Sequence, residues 1–243
     1  MNIKSFFLVI LFSVGSFVSA QDVQTIVKKL DANLAKVKDK SVDIEMTMSN
    51  LKTGKSKLKK AELFQKGESK KLFRYTYPES DAGITTLTLP NDEIYLYLPM
   101  FKKPKKITNM AESNAFNKSD FSLDDMASAD FALKYSAGLM SYNGDAFKLM
   151  LTPKDVKSPY SKLVVYLNKT QYTVEKIEYY VKNELQKIAL YHYINIDGIW
   201  VADEVSMENV KKQHKTTLKM TNIKINKGLS DALFLVENLA PKQ

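Results

Sequence analysis

The chain reads as a mainly β protein with a few helices (α+β), built on one large curved antiparallel sheet or barrel. Apolar and polar residues alternate with a period of two through most of the sequence. These runs are separated at regular spacing by turn residues: Thr53-Gly54, Gly67, Pro90-Asn91-Asp92, Asn143-Gly144 and Asp197-Gly198. Helical periodicity is confined to a few short stretches. About ten strands at this spacing suit a curved sheet or barrel.

Residues 1–20 stand outside the fold. Lys4 precedes an apolar core from Phe6 to Val14, too short to span a bilayer, and Val18-Ser19-Ala20 places small residues where a signal peptidase cuts. The mature chain is expected to start at Gln21 and to form a single domain over 21–243, since no linker or shift in composition divides it. From there Val23, Ile26, Val27, Leu30, Leu34 and Val37 recur on one helical face. Asp22 is placed to cap this helix, and Lys28, Lys29, Lys36 and Lys38 to occupy its other faces or its last turn.

Strands follow in order. Val42, Ile44, Met46 and Met48 alternate with polar residues, and a second strand covers Leu58 to Gln65. Phe73, Tyr75 and Tyr77 form a third, ended by Pro78, which cannot donate to a ladder. Ile84–Leu89 and Glu93–Leu98 pair across Pro90-Asn91-Asp92. Asn143-Gly144 signals a hairpin. Leu163–Leu167, Ile177–Val181, Leu185–Tyr193, Trp200–Val210 and Lys215–Ile225 complete the series, with Asn183-Glu184 and Asp197-Gly198 as turns. Further short helices are expected over Ser122–Phe131 and near Ser230–Phe234. Ser122 has N-cap spacing to Asp125, so Asp124 and Asp125 read as dipole partners.

Composition narrows the function. There is no Cys, which excludes disulfides, thiol chemistry and a lipid-modified anchor. The product is expected to be exported to the periplasm as a soluble chain. Its net charge is +9, or +8 once the leader with Lys4 is removed. Nucleic acid does not suit an exported chain, so the positive balance points to an anionic membrane surface, an acidic partner, or solubility alone.

Catalytic groups are sparse. His192 and His214 are the only histidines, and neither has a second ligand at metal spacing. No Gly-x-Ser-x-Gly elbow and no glycine-rich phosphate loop occur. A hydrolase reading has little support, and no catalytic residue, metal or cofactor is expected. What remains is apolar: 13 Tyr, 12 Phe and 10 Met, spread through strands whose concave face must be filled by side chains, a helix or a ligand. Adaptable Met suits varied apolar shapes.

An ordered set of motifs then carries a family resemblance. Tyr95-Leu96-Tyr97-Leu98-Pro99 is followed by Lys102, Lys103, Lys105, Lys106 and Ile107, then Phe116, Ser119-Asp120-Phe121 and Asp125. Pro78 and Gly83 precede it; Asp197-Gly198-Ile199-Trp200 and Asn226-Lys227-Gly228-Leu229-Ser230-Asp231 with Phe234 follow. From about Phe73 to Leu239 the chain resembles the LolA-like superfamily, in the branch of outer-membrane lipoprotein-sorting proteins. It departs from that branch in having Lys where Arg is favoured, Tyr95 where Trp is usual, and Val201-Ala202 where a Pro usually follows the Trp.

The resemblance implies an unclosed β-barrel whose concave side is covered by helices. It also implies a monomeric carrier that takes lipoprotein acyl chains or lipid into an apolar cavity, without cofactor or catalysis. An inner-membrane transporter and an outer-membrane acceptor would be its partners. An envelope sensor or a transporter-associated binding module of the same fold is the alternative. From strand alternation, Met46, Met48, Tyr75, Tyr95, Tyr97, Ile177, Tyr179, Met207 and Met220 are expected to line the cavity. Lys102, Lys103, Lys105 and Lys106 are expected to form a basic rim or docking surface.

Overall fold

The computed structural model describes residues 20–107, 119–122 and 130–240. The leader before Ala20, the side chain of Asp22, Phe116, and residues 123–129 of the helix expected after Ser122, with Asp124 and Asp125, lie outside the described residues.

Thirteen strands form one antiparallel sheet: β1 Asp39–Asn50, β2 Ser56–Lys66, β3 Lys70–Tyr77, β4 Thr85–Leu89, β5 Glu93–Tyr97, β6 Pro104–Ile107, β7 Tyr135–Asn143, β8 Ala146–Pro153, β9 Lys162–Asn168, β10 Val174–Val181, β11 Glu184–Ile196, β12 Ile199–Asn209 and β13 His214–Ile225. Their order is β6-β5-β4-β3-β2-β1-β13-β12-β11-β10-β9-β8-β7. Two meanders, β1–β6 and β7–β13, are thus joined at the centre by the long β1–β13 pairing. β6 and β7 are the free edges, so the sheet is an unclosed barrel. The connection from β6 to β7 carries the chain from one edge to the other.

Local chemistry sets the turns. Lys182 and Asn183 (φ 48° and 65°) link β10 to β11, and Asp197 and Gly198 (φ 51° and 81°) link β11 to β12. Positive φ at both central residues gives mirror-image turns whose twist matches that of the strands. At β6 the basic run is itself a strand, with Lys105 opposite Leu96 and Lys106 opposite Tyr95. Lysine on an exposed edge also discourages pairing with another sheet.

Helix α1, Ala20–Leu34, buries Val23, Ile26, Val27 and Leu30. The helical pattern ran on to Val37, but the helix stops at Leu34. The chain tightens there through Lys36 N to Asn33 O and Val37 N to Leu34 O. Lys36 and Lys38 therefore lie beyond it, and no basic residue occupies its last turn. A second helix, α2, is a single turn at Phe131–Lys134.

The C-terminal motif is a clasp. Asp39, buried at the start of β1, accepts from the N–H groups of Lys227 (2.8 Å) and Gly228 (3.0 Å). Asn226 receives Lys38 N on its Oδ1 and donates Nδ2 to Lys36 O. Ser230 caps the 3-10 turn Asp231–Phe234, and Asp231 receives Lys66 and Lys70, each at 2.8 Å. The clasp lays Phe234 and Leu239 on Leu72, Leu87 and Tyr97.

Asp39→Ala is expected to lower stability by about 1–2 kcal/mol, because two part-buried hydrogen bonds to the Lys227 and Gly228 N–H groups are lost. Hydrogen exchange should rise first over 226–240, read by mass spectrometry. The Asp231 carboxyl is held down at about 2 by Lys66 and Lys70. Its contribution is present above the ordinary Asp pKa of about 4 and lost as pH falls from there through about 2. Added salt should weaken it.

Candidate functional site

Register aligns apolar residues on one face of the sheet, on either side of Thr216. Across the second meander Leu139 stands opposite Leu149, Leu149 opposite Val165, Val165 opposite Ile177, Ile177 opposite Ala189, and Ala189 opposite Met207. Met207 meets Thr216, and Leu218 in turn meets Met46. Beyond β1, Ile44 faces Ala61, Ala61 faces Tyr75, and Leu63 faces Phe73. These residues form two clusters on the concave side. α1 lies on the one built from β8–β12. The other comprises Val42, Ile44, Met46, Met48, Ala61, Phe73, Tyr75 and Leu218, and Phe121 packs against both.

Two carboxylates tie the covering layer down. Asp31 of α1 accepts from Phe131 N (3.0 Å) and Ala132 N (2.8 Å), which caps α2; burial pushes its carboxyl pKa up against those two bonds. Asp120, 7 % exposed, fastens the segment 119–122 to β13. Its Oδ2 receives Thr216 Oγ1 (2.7 Å) and lies 2.6 Å from His214 Nδ1, while its N–H donates to Thr216 Oγ1 (3.1 Å). Phe121 follows directly, so the Ser-Asp-Phe motif is a latch that seats an aromatic ring between the two apolar clusters. Neither histidine has a second ligand at metal spacing along the chain. Folding supplies a carboxylate to each: Asp120 to His214 across 94 residues, and Asp203 to His192 at 2.6 Å. No local pattern signals a contact of that separation.

Met46, Met48, Tyr75, Ile177, Tyr179 and Met207 are buried members of the concave clusters, and Met220 packs against the second of them. Tyr95 and Tyr97 do not join them. In register, Leu72 faces Leu87, Leu87 faces Tyr95, and Thr85 faces Tyr97, so both tyrosines point to the opposite side. There Tyr97 is buried in the Phe234–Leu239 cluster and Tyr95 packs against it. β5 is apolar on both faces because the clasp covers its outer one, so alternation alone could not choose the inward set. Ile94 and Leu96 take the concave side of this strand.

Charge on the concave side gathers at one end. Lys40, Gln65 and Lys71 are consecutive partners across β1, β2 and β3, on the same parity as Val42, Leu63 and Phe73. Burial lowers the Lys40 pKa. Burial first, then the charges of Lys40 and Lys134, push Lys71 down to about 8, with Glu68 opposing. Near the other end, Thr86 Oγ1 is buried without a hydrogen-bond partner among the described residues, beside Phe73 and Leu96 in register. Of the basic run, Lys106 is paired with Glu93 at 2.5 Å, while Lys102, Lys103 and Lys105 are exposed.

A depression of about 420 Å³ is lined by His192, Asp203, Glu204, Lys219, Met220 and Thr221. Glu204 and Lys219 are opposed in register and alternate with Val205 and Leu218, so this lining mostly faces away from the concave side. Among the described residues, no three His, Asp or Glu side chains converge to hold a metal. No helix there is long and apolar enough to cross a membrane.

An open antiparallel barrel with a helix laid on its concave face defines the LolA-like class. A domain from Vibrio parahaemolyticus, provisionally described as an outer membrane lipoprotein-sorting protein, is 26% identical and superimposes with a TM-score of 0.81, covering 92% of this chain and 100% of its own. A DUF1329 family protein from Desulfovibrio piger is 22% identical, with a TM-score of 0.81 and coverage of 90% and 98%. A LolA superfamily protein from Nitrosomonas europaea is 21% identical, with a TM-score of 0.71 and coverage of 88% and 97%. No curated protein matches the chain. A family model described as "-like: Uncharacterized protein" matches residues 67–241, and the chain belongs to that family; its fold is that of a LolA-like unclosed barrel.

Asp120→Ala should remove the latch at a cost of about 1–3 kcal/mol, since Thr216 and His214 lose a buried acceptor. Protease cleavage near 119–122 should accelerate while the sheet's circular dichroism persists. Lys71→Met should stabilise the protein at neutral pH. A pKa near 8 against about 10.4 unfolded means the native state resists carrying this charge, a penalty of roughly 2–3 kcal/mol. That penalty is full below pH 8 and fades as pH rises towards the unfolded value, where the native state has already released its proton. The gain in Tm should therefore be largest at pH 7 and shrink by pH 10.

Proposed function

We propose that this protein is a periplasmic carrier of the lipoprotein-sorting type, which takes lipoprotein acyl chains or lipid onto the concave face of its open barrel. It acts as a monomer, after its leader is removed at Gln21, between an inner-membrane donor and an outer-membrane acceptor. No catalytic step belongs to this reading.

One observation carries it: an apolar face that runs from β7 to β3 in two clusters flanking Thr216, under a cover that is a separate layer. Met46, Met48, Tyr75, Ile177, Tyr179, Met207 and Met220, with Ile94 and Leu96, supply the wall. In the state described here these positions are mostly packed beneath α1 and the segment carrying Phe121. Loading therefore requires that layer to move. Among the described residues the layer's polar ties to the sheet and its loops include Asp120 to Thr216 and His214, Lys29 to Tyr172, Asn33 to Gln171 O and Lys154 to Ala132 O; a ligand that replaces its apolar contacts can shift the equilibrium. The need for a carrier is physical. At ~0.8 kcal/mol per methylene, a fourteen-methylene chain costs about 11 kcal/mol to expose to water.

The chain from Gln21 onward should take up a fluorescent fatty acid or acyl lipid, seen as a rise in emission. Mass spectrometry should find lipid or lipoprotein on the protein purified from its native envelope. Met220→Glu, at a partly buried wall position, should weaken uptake about tenfold or more, in proportion to the cost of burying a charge. If the wild-type chain takes up no acyl probe and carries nothing from the envelope, the reading is wrong.

A further inference from the structure

The hairpin between β5 and β6 ends in an apolar tip set among lysines. After Tyr97 the chain makes a 3-10 turn at Pro99–Phe101, then reverses at Lys102 (φ 54°) before β6 begins. Met100 is 79% exposed and Phe101 63% exposed, the two large apolar side chains at the apex. The tip is braced. Gly83 of the neighbouring turn has φ 82°, and a Cβ there would stand 3.1 Å from Pro99 Cγ. The 78–83 turn therefore packs closely behind Pro99 and leaves Met100 and Phe101 projecting. Tyr77, 49% exposed, ends β3 at the same end of the sheet.

Charge surrounds this tip. Lys102, Lys103 and Lys105 are exposed, and none has a carboxylate at ion-pair distance among the described residues. In the bracing 78–83 turn the acids are Glu79, exposed, and Asp81, which is paired with Lys59 at 2.7 Å. The balance is positive.

We infer that Met100 and Phe101 insert into the surface of an anionic phospholipid bilayer, with Lys102, Lys103 and Lys105 on its headgroups. Two apolar side chains projecting from a braced turn reach only the boundary between headgroups and acyl chains. Each lysine near an anionic surface contributes roughly fivefold in affinity, and the effect is screened by salt. A protein partner suits the tip less well: two exposed side chains are far from the ~1,200 Å² that a stable protein interface buries. The inference is independent of what the concave face carries.

The test uses the chain from Gln21 onward, which holds all thirteen strands. It should float with vesicles of phosphatidylcholine containing phosphatidylglycerol, and not with phosphatidylcholine alone. Because the chain has no Cys, Phe101→Cys gives a single labelling position. An environment-sensitive dye there should brighten on the anionic vesicles. Met100→Ser with Phe101→Ser should reduce binding by about tenfold, in line with the loss of two inserted apolar side chains. Lys102→Glu with Lys103→Glu and Lys105→Glu should abolish it. Both sets of changes are at exposed positions and should leave Tm and acyl-probe uptake unchanged. Equal binding to neutral vesicles, an unresponsive dye, or wild-type binding by either variant overturns the inference. Loss of acyl uptake by the wild-type chain would instead count against the carrier reading alone.

Discussion

An antiparallel sheet that curls without closing has a concave apolar face that no strand can cover. Every other feature of this molecule answers that constraint. A closed barrel of this strand number would leave a lumen, and a flat sheet would leave an exposed face. Here the two meanders meet at the β1–β13 pairing and curl around a layer that includes α1, α2 and residues 119–122. Such a layer packs by area, which is non-directional, so something directional must fix its position. Asp31 and Asp120 do so, each through backbone or side-chain donors in fixed places.

The outer face has its own constraint. β5 is apolar on both sides, and Leu72, Leu87, Tyr95 and Tyr97 on the outer side would form an exposed hydrophobic patch without the C-terminal clasp. Asp39 therefore has two duties. It begins the central strand, and it fixes the segment that seals the flank of the sheet. The clasp motif Asn226 to Asp231 is understandable residue by residue: a positive φ at Asn226 turns the chain, Lys227 and Gly228 present N–H groups, Ser230 caps, and Asp231 meets two lysines.

Much of this was legible in the sequence because local physics decides it. Alternation in Val42–Met48 and the turn pair Asp197-Gly198 are set by neighbours along the chain, and both appear where periodicity placed them. The inward assignment of Tyr95 and Tyr97 failed for a nonlocal reason. Their strand is covered on both sides, and only the distant residues Phe234 and Leu239 reveal which face takes the tyrosines. The Asp120–His214 contact was invisible on the same ground, since 94 residues separate the partners. α1 ended early because Leu34 and Val37 continue the helical pattern beyond the surface on which the helix rests; Leu34 is 38% exposed.

The same distinction separates a cover from a core. Residues buried within the sheet, such as Leu149, Val165 and Leu167, are held by neighbouring strands and by α1 together. Residues of α1 and Phe121 are held by apolar contact, by the Asp31 and Asp120 bonds, and by Lys29 and Asn33 on the loop before β10. Local opening follows the region with fewest cooperative contacts, so the covering layer should open before any strand leaves the ladder. Lys40 and Lys71 add to this asymmetry. Both stand at one end of the concave face, where burial disfavours their charge. An open sheet under a separately packed cover is the arrangement on which the carrier reading rests.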